Sequence, residues 1–121
     1  MGQDVGTEQE LDGALTAGLR LLESRDLAGF RALCTPGATV WQNDGDGTRT
    51  IDVRLEQIAT FLDTVESLRF EVVRRFHKPG EALQQHVLEL VAPDGTRSRV
   101  HATTYFRFEG GLIAEIEEHL S

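Results

Sequence analysis

Apolar residues first recur at a helical period in Leu11, Leu15, Leu19 and Leu22, just behind Thr7-Glu8-Gln9-Glu10, which has the spacing of a capping box. The pattern predicts a first helix running to about Ser24. Asp26 is placed to cap a second, short helix whose Leu27, Phe30 and Leu33 share a face and whose end carries Cys34, before Thr35-Pro36-Gly37 stops it. The β-branched and aromatic stretch 38–43 reads as a strand and Asp44-Gly45-Asp46-Gly47 as a loop. From Ile51, the residues Leu55, Ile58, Leu62 and Val65 restore the helical period and predict a third helix to near Ser67.

Beyond that helix the period and the punctuation change together. Extended runs are predicted at about 69–78, 82–92, 97–108 and 112–120, separated by Pro79-Gly80, Pro93-Asp94-Gly95 and Gly110-Gly111. Connections this short join antiparallel neighbours, so the four runs form a meander. The expected order is ααβαββββ: an α+β fold, one domain over 1–121, with three N-terminal helices packed on a curved antiparallel sheet.

Alternation assigns the faces. In the third meander strand Val100, Ala102, Thr104, Phe106 and Phe108 oppose Arg97, Arg99, His101, Thr103, Tyr105 and Arg107, so the first set faces the helices. A two-residue hairpin loop at Asp94-Gly95 would place Glu89 opposite Val100 and Gln85 opposite Thr104, turning Gln85, Val87, Glu89 and Val91 inward. On the last strand Leu112, Ala114, Ile116, Glu118 and Leu120 make the better inner face, which needs a bulge at Gly110-Gly111. The expected concave wall is apolar but interrupted by Gln85, Glu89, Thr104 and Glu118. Dry cores rarely keep unpaired carboxylates, so the wall reads as a ligand pocket. Rim solvent or a salt bridge to Arg74 would account for either glutamate without chemistry.

Composition narrows the partners. The 121 residues carry a formal charge of −8 and no basic stripe, which argues against nucleic acid. No apolar run approaches a membrane span or a signal-peptide core, which makes the cytoplasm the default address. The lone Cys34 excludes an internal disulfide and a cysteine-based zinc cage, and is most simply a buried apolar side chain.

Glu89 and Glu118 are the candidate acid/base pair, because an apolar surround raises a carboxyl pKa and two nearby carboxylates push their values apart. A competing constellation is His86, Thr103 and His119, aligned across neighbouring strands with His101 diagonal. It lies on the expected outer face beside Leu88 and Leu90, without local zinc-ligand spacing, and reads as a polar dimer surface. Trp41 points to the same outer side. The Asp44–Gly47 loop lacks the later glutamate of a calcium loop and reads as a lid or plain turn.

The element order and two segments, Gly37-Ala38-Thr39-Val40-Trp41-Gln42-Asn43 and Tyr105-Phe106-Arg107-Phe108-Glu109-Gly110-Gly111-Leu112-Ile113-Ala114-Glu115-Ile116-Glu117-Glu118, resemble the nuclear transport factor 2-like superfamily, and within it the SnoaL-like polyketide cyclases and ketosteroid isomerases. The resemblance implies a cone-shaped α+β barrel around one pocket, often in a homodimer. It is shared by isomerases, cyclases, dehydratases, epoxide hydrolases and inert binding modules. The isomerases' general-base aspartate falls at Gln42, an amide that takes no proton near neutral pH. Their oxyanion-binding tyrosine falls at about Gly18 and their neutral aspartic acid at Thr104. The aspartate many SnoaL-like chains carry after the last strand is replaced by His119-Leu120-Ser121.

The resulting expectation is a cofactor-independent acid/base enzyme for a small apolar organic ligand. Glu89 and Glu118 are its catalytic candidates, with Gln42, Thr104, Val87, Val100 and Phe106 at the ligand and no metal. A non-catalytic binding module and a dimeric assembly protein are the alternatives.

Overall fold

A computed structural model describes residues 7–120; of the domain expected over 1–121, residues 1–6 and 121 lie outside the described residues. Helix α1 (Glu8–Glu23) opens with the expected capping box, in which the Thr7 side chain and the Glu10 carboxylate each bond the other's backbone N–H. Helix α2 (Leu27–Arg31) is capped by Asp26 and ends before Cys34. Cys34 instead begins strand β1 (Cys34–Gln42), four residues earlier than expected, because it pairs with Ile113 across the sheet. Strand β2 (Gly47–Thr50) was not expected. It folds back on β1 through a turn in which the Asp44 carboxylate accepts the Asp46 N–H.

Helix α3 (Ile51–Leu62) stops short of the predicted Ser67. Arg25, held at φ 67°, donates to the carbonyls of Leu62, Val65 and Glu66, supplying partners to a chain end that continued helix would have satisfied internally. The meander then runs as expected in β3 (Ser67–Lys78), β4 (Glu81–Val91), β5 (Arg97–Glu109) and β6 (Leu112–Leu120).

The six strands lie in the order β2-β1-β6-β5-β4-β3, antiparallel except where β1 runs parallel to β6. The order is therefore ααββαββββ, and the α+β expectation holds with one strand more. The helices lie against one curved face of the sheet. Leu11 and Leu15 of α1 and Ile51 and Leu55 of α3 meet Phe106, Phe108, Ile113 and Ile116 of the sheet in a continuous core. Gly18, where the isomerases' tyrosine would fall, is buried against Phe30, whose ring a Cβ would meet at 3.1 Å.

The β4–β5 register differs by one from the expected one. Ala92 N–H donates to Thr96 O, so the loop is the three residues Pro93-Asp94-Gly95, with Gly95 at φ 88°. Leu88 therefore faces Val100 and Gln84 faces Thr104. With a side-chain period of two, that single step turns Gln84, His86 and Leu88 inward and Gln85, Val87, Glu89 and Val91 outward. On β6 the bulge sits at Ala114, between the pairs Phe108–Ile113 and Arg107–Glu115, not at Gly110-Gly111. Ile113 is thus buried and Leu112 exposed, whereas Ile116, Glu118 and Leu120 face inward as expected.

Candidate active site

Between α1, α3 and the inner face of the sheet lies a cavity of about 130 Å³. Leu15 and Leu19 of α1, Ile58 and Phe61 of α3, and Phe106 and Ile116 of the sheet supply much of its apolar wall. Its polar groups centre on one row. Gln84, Thr104, Glu118 and Gln42 are successive cross-strand partners on β4, β5, β6 and β1, and so form a polar belt across the inner face. His86 and Arg54 flank the belt at the cavity wall.

Glu118 accepts hydrogen bonds at one oxygen only. Gln42 Nε2 donates to Oε1 at 2.7 Å and Arg54 to the same atom at 3.3 Å, leaving Oε2 without a partner among the described residues. Gln42 is itself fixed, because Arg49 donates to its Oε1 at 3.1 Å; an arginine cannot accept, so the amide NH2 must face Glu118. Arg49 is in turn locked by Asp44, whose carboxyl its guanidinium and the Asp46 N–H hold down to about 2. The loop at Asp44 thus anchors the belt, in place of the expected lid or plain turn. Next to Glu118, the Thr104 hydroxyl is buried and makes no hydrogen bond. Such a group costs about 1–3 kcal/mol unless something bonds it.

At the other end of the belt the arrangement repeats. Arg75 Nε donates to Gln84 Oε1 at 2.8 Å, and Gln84 Nε2 lies 2.9 Å from His86 Nδ1. Arg75 is anchored on Asp12 of α1, whose carboxyl the hydrogen bonds from Arg75 and His77 hold below its ordinary value. Burial, with the positive charge of Arg75 nearby, lowers the His86 pKa.

Of the expected site residues, Glu118, Thr104 and Phe106 line the cavity, and Gln42 joins it through Glu118. Glu89 does not. It sits on the outer face, paired with Arg99 at 2.7 Å, so the expected Glu89–Glu118 pair is not brought together. Val87 is buried on that same outer side, and Val100 is half-buried away from the cavity. The histidine constellation is altered: His86 turns to the cavity wall, Thr103 and His119 stay paired, and although all three border one depression with His101, no group of metal-ligating side chains occurs among the described residues. His119 packs on Trp41 at 5.1 Å between ring centroids. Arg74 bonds Gln85 rather than either glutamate. Cys34 is pushed up to about 11 by burial, which rules it out as a thiolate. Sequence reasoning missed Gln84, Arg54 and Arg75 and placed His86 on the outer face; for Gln84 and His86 the Pro-Asp-Gly turn held the signal, since a three-residue loop ending in a left-handed glycine sets their face.

No curated protein sequence matches the chain. Its fold is similar to that of AclR, a putative hydroxylase from Streptomyces galilaeus, at 15% identity and a TM-score of 0.84, over 95% of this chain and 91% of that one. A putative SnoaL-like polyketide cyclase from Shewanella denitrificans superposes at 10% identity and a TM-score of 0.81, covering 95% and 92%. An LEH-like epoxide hydrolase from M. tuberculosis does so at 16% identity and 0.77, covering 93% and 84%. At these identities the likeness is one of fold alone, and it carries the nuclear transport factor 2-like architecture. The SnoaL-like domain model matches residues 15–116, from α1 to β6, and the chain therefore belongs to the SnoaL-like domain family.

Proposed function

We propose that this domain is a cofactor-independent acid/base enzyme acting on a small, mostly apolar organic molecule, with Glu118 as the proton-transferring group. The observation that carries the reading is the state of Glu118: one oxygen is fixed by Gln42 and Arg54, and the other is unpartnered at the wall of an apolar cavity. A carboxylate so held is oriented for reaction at the free oxygen. The Thr104 hydroxyl beside it is buried without a partner and adds polarity to the wall behind Glu118. In the simplest chemistry Glu118 takes a proton from carbon next to a carbonyl and returns it to another carbon. The same carboxylate activating a water would give hydrolysis instead. A volume of about 130 Å³ suits a molecule of roughly one ring, given that an engineered cavity of about 150 Å³ holds benzene.

The reading carries with it a cytoplasmic homodimer. No described helix is long and apolar enough to cross a membrane. The outer sheet face exposes Val73 and the cross-strand pair Phe76–Leu83, with Phe76 62% accessible, which supports burial by a second copy.

The test is to incubate a catalytic amount of the protein, with no added cofactor, in an organic extract of the cells that make it, and to profile small molecules by mass spectrometry. Conversion of an apolar metabolite is expected. Recovery of every bound molecule chemically unchanged would make the domain a binding module.

A further inference from the structure

The hydrogen-bond chain at the far end of the belt fixes where a proton sits. Arg75 can only donate, so Gln84 must turn its Oε1 to Arg75 and its NH2 to His86. His86 Nδ1 is then the acceptor. A charged imidazolium, with N–H at both nitrogens, would set donor against donor. The neutral ring with its proton on Nε2 is the one state compatible with the chain. Arg75 has no freedom to release Gln84, being held by the Asp12 carboxylate and backbone carbonyl and by Thr16 Oγ1. The Phe70 ring packs edge-on against the imidazole at 5.4 Å and limits its rotation. His86 is 7% exposed and lines the cavity, and its Nε2 has no partner among the described residues.

We propose that His86 is the cavity's hydrogen-bond donor, its Nε2–H binding the carbonyl oxygen of a ring-sized ketone-like substrate, and that Gln84 is the positioning residue that keeps the proton on that nitrogen. The inference rests on the reading of the cavity as an active site and names its substrate class. His86 and Glu118 stand two strands apart on adjacent rungs, on the order of 10 Å between backbones, a separation that one ring with its oxygen bridges. When Glu118 removes a proton from the carbon next to the carbonyl, the C–H electron pair becomes the enolate C=C and the carbonyl π pair moves to oxygen. The Nε2–H bond strengthens as that charge develops. Return of the proton from Glu118 to carbon restores the carbonyl, so no oxidant or reductant is needed.

The experiment uses full-length protein labelled with 15N-histidine. Long-range 1H–15N spectra at pH 7.5 report which ring nitrogen is protonated, and His86→Gln assigns the signal. The wild type is expected to show a neutral Nε2–H ring, and a proton on Nδ1 would overturn the proposal whatever the protein is found to convert. In Gln84→Glu the new carboxylate accepts from Nδ1–H, so the proton is expected to leave Nε2 as a neutral ring or the ring to become charged. An unchanged Nε2–H tautomer in that variant would remove Gln84 from its role. Cyclohexanone and its hydrocarbon isostere methylenecyclohexane are then titrated. The ketone is expected to bind about tenfold tighter, the worth of one good hydrogen bond, to shift the His86 Nε2 signal, and to lose that preference in His86→Phe. Ketone binding that leaves the His86 Nε2 signal unmoved would overturn the proposal and leave the cavity reading standing. Failure of both probes to bind would overturn the cavity reading and the proposal with it.

Discussion

Gln42 and Gln84 are chemically identical side chains at opposite ends of the belt, and each is pinned by an arginine on its oxygen so that its NH2 meets a titratable group. Neither amide can flip without setting two donors against each other. For His86 the consequence is measurable as stability against pH. Its folded-state pKa lies below the ordinary 6.5, chiefly through burial and then through Arg75, while the unfolded chain keeps the ordinary value. Below 6.5 the unfolded state therefore binds more protons, and stability falls as pH drops through that value until the lowered folded pKa is reached. Urea titrations between pH 7.5 and 5.5 should show wild type losing more stability than His86→Gln. Equal slopes would contradict the neutral, buried ring. Gln42 and Glu118 were legible in the sequence, the first from resemblance and the second from strand alternation. The arginines were not, because Arg49, Arg54 and Arg75 reach the belt through tertiary contacts that no local spacing encodes.

At the scale of elements, the turn between β4 and β5 decides which chemistry enters the cavity. Pro93-Asp94-Gly95 closes as a three-residue loop, and Gly95 takes a left-handed conformation with φ 88°. A Cβ there would meet nothing within 4 Å, so any loss on substitution is one of backbone conformation. Gly95→Ala should cost roughly 1–2 kcal/mol by urea unfolding, with Gly95→Asn losing less. An alanine variant as stable as wild type would show that the glycine does not set this turn. The strand and helix boundaries of the meander and of α1 were readable because periodicity and punctuation agree there. The face of β4 was not, since one loop residue inverts it while leaving apolar residues on both faces: Val87 is buried on the outer side and Leu88 is half-buried on the inner. Strand β2 escaped notice because it is four residues long, with two threonines and an arginine whose side chain serves the belt. The end of α3 depended on Arg25, thirty-seven residues upstream of Leu62.

For the whole molecule, the helices and sheet enclose a largely apolar space, and at its wall Glu118 Oε2, Thr104 Oγ1 and His86 Nε2 lack partners among the described residues. The most direct measurement is the single-turnover rate of Glu118→Gln on the metabolite that wild type converts, together with its dissociation constant. The variant keeps an oxygen for Gln42 but cannot shuttle a proton. The account predicts a rate at least about 100-fold lower with binding changed by less than about threefold, the range expected when a general acid/base is removed. Turnover at the wild-type rate would contradict it.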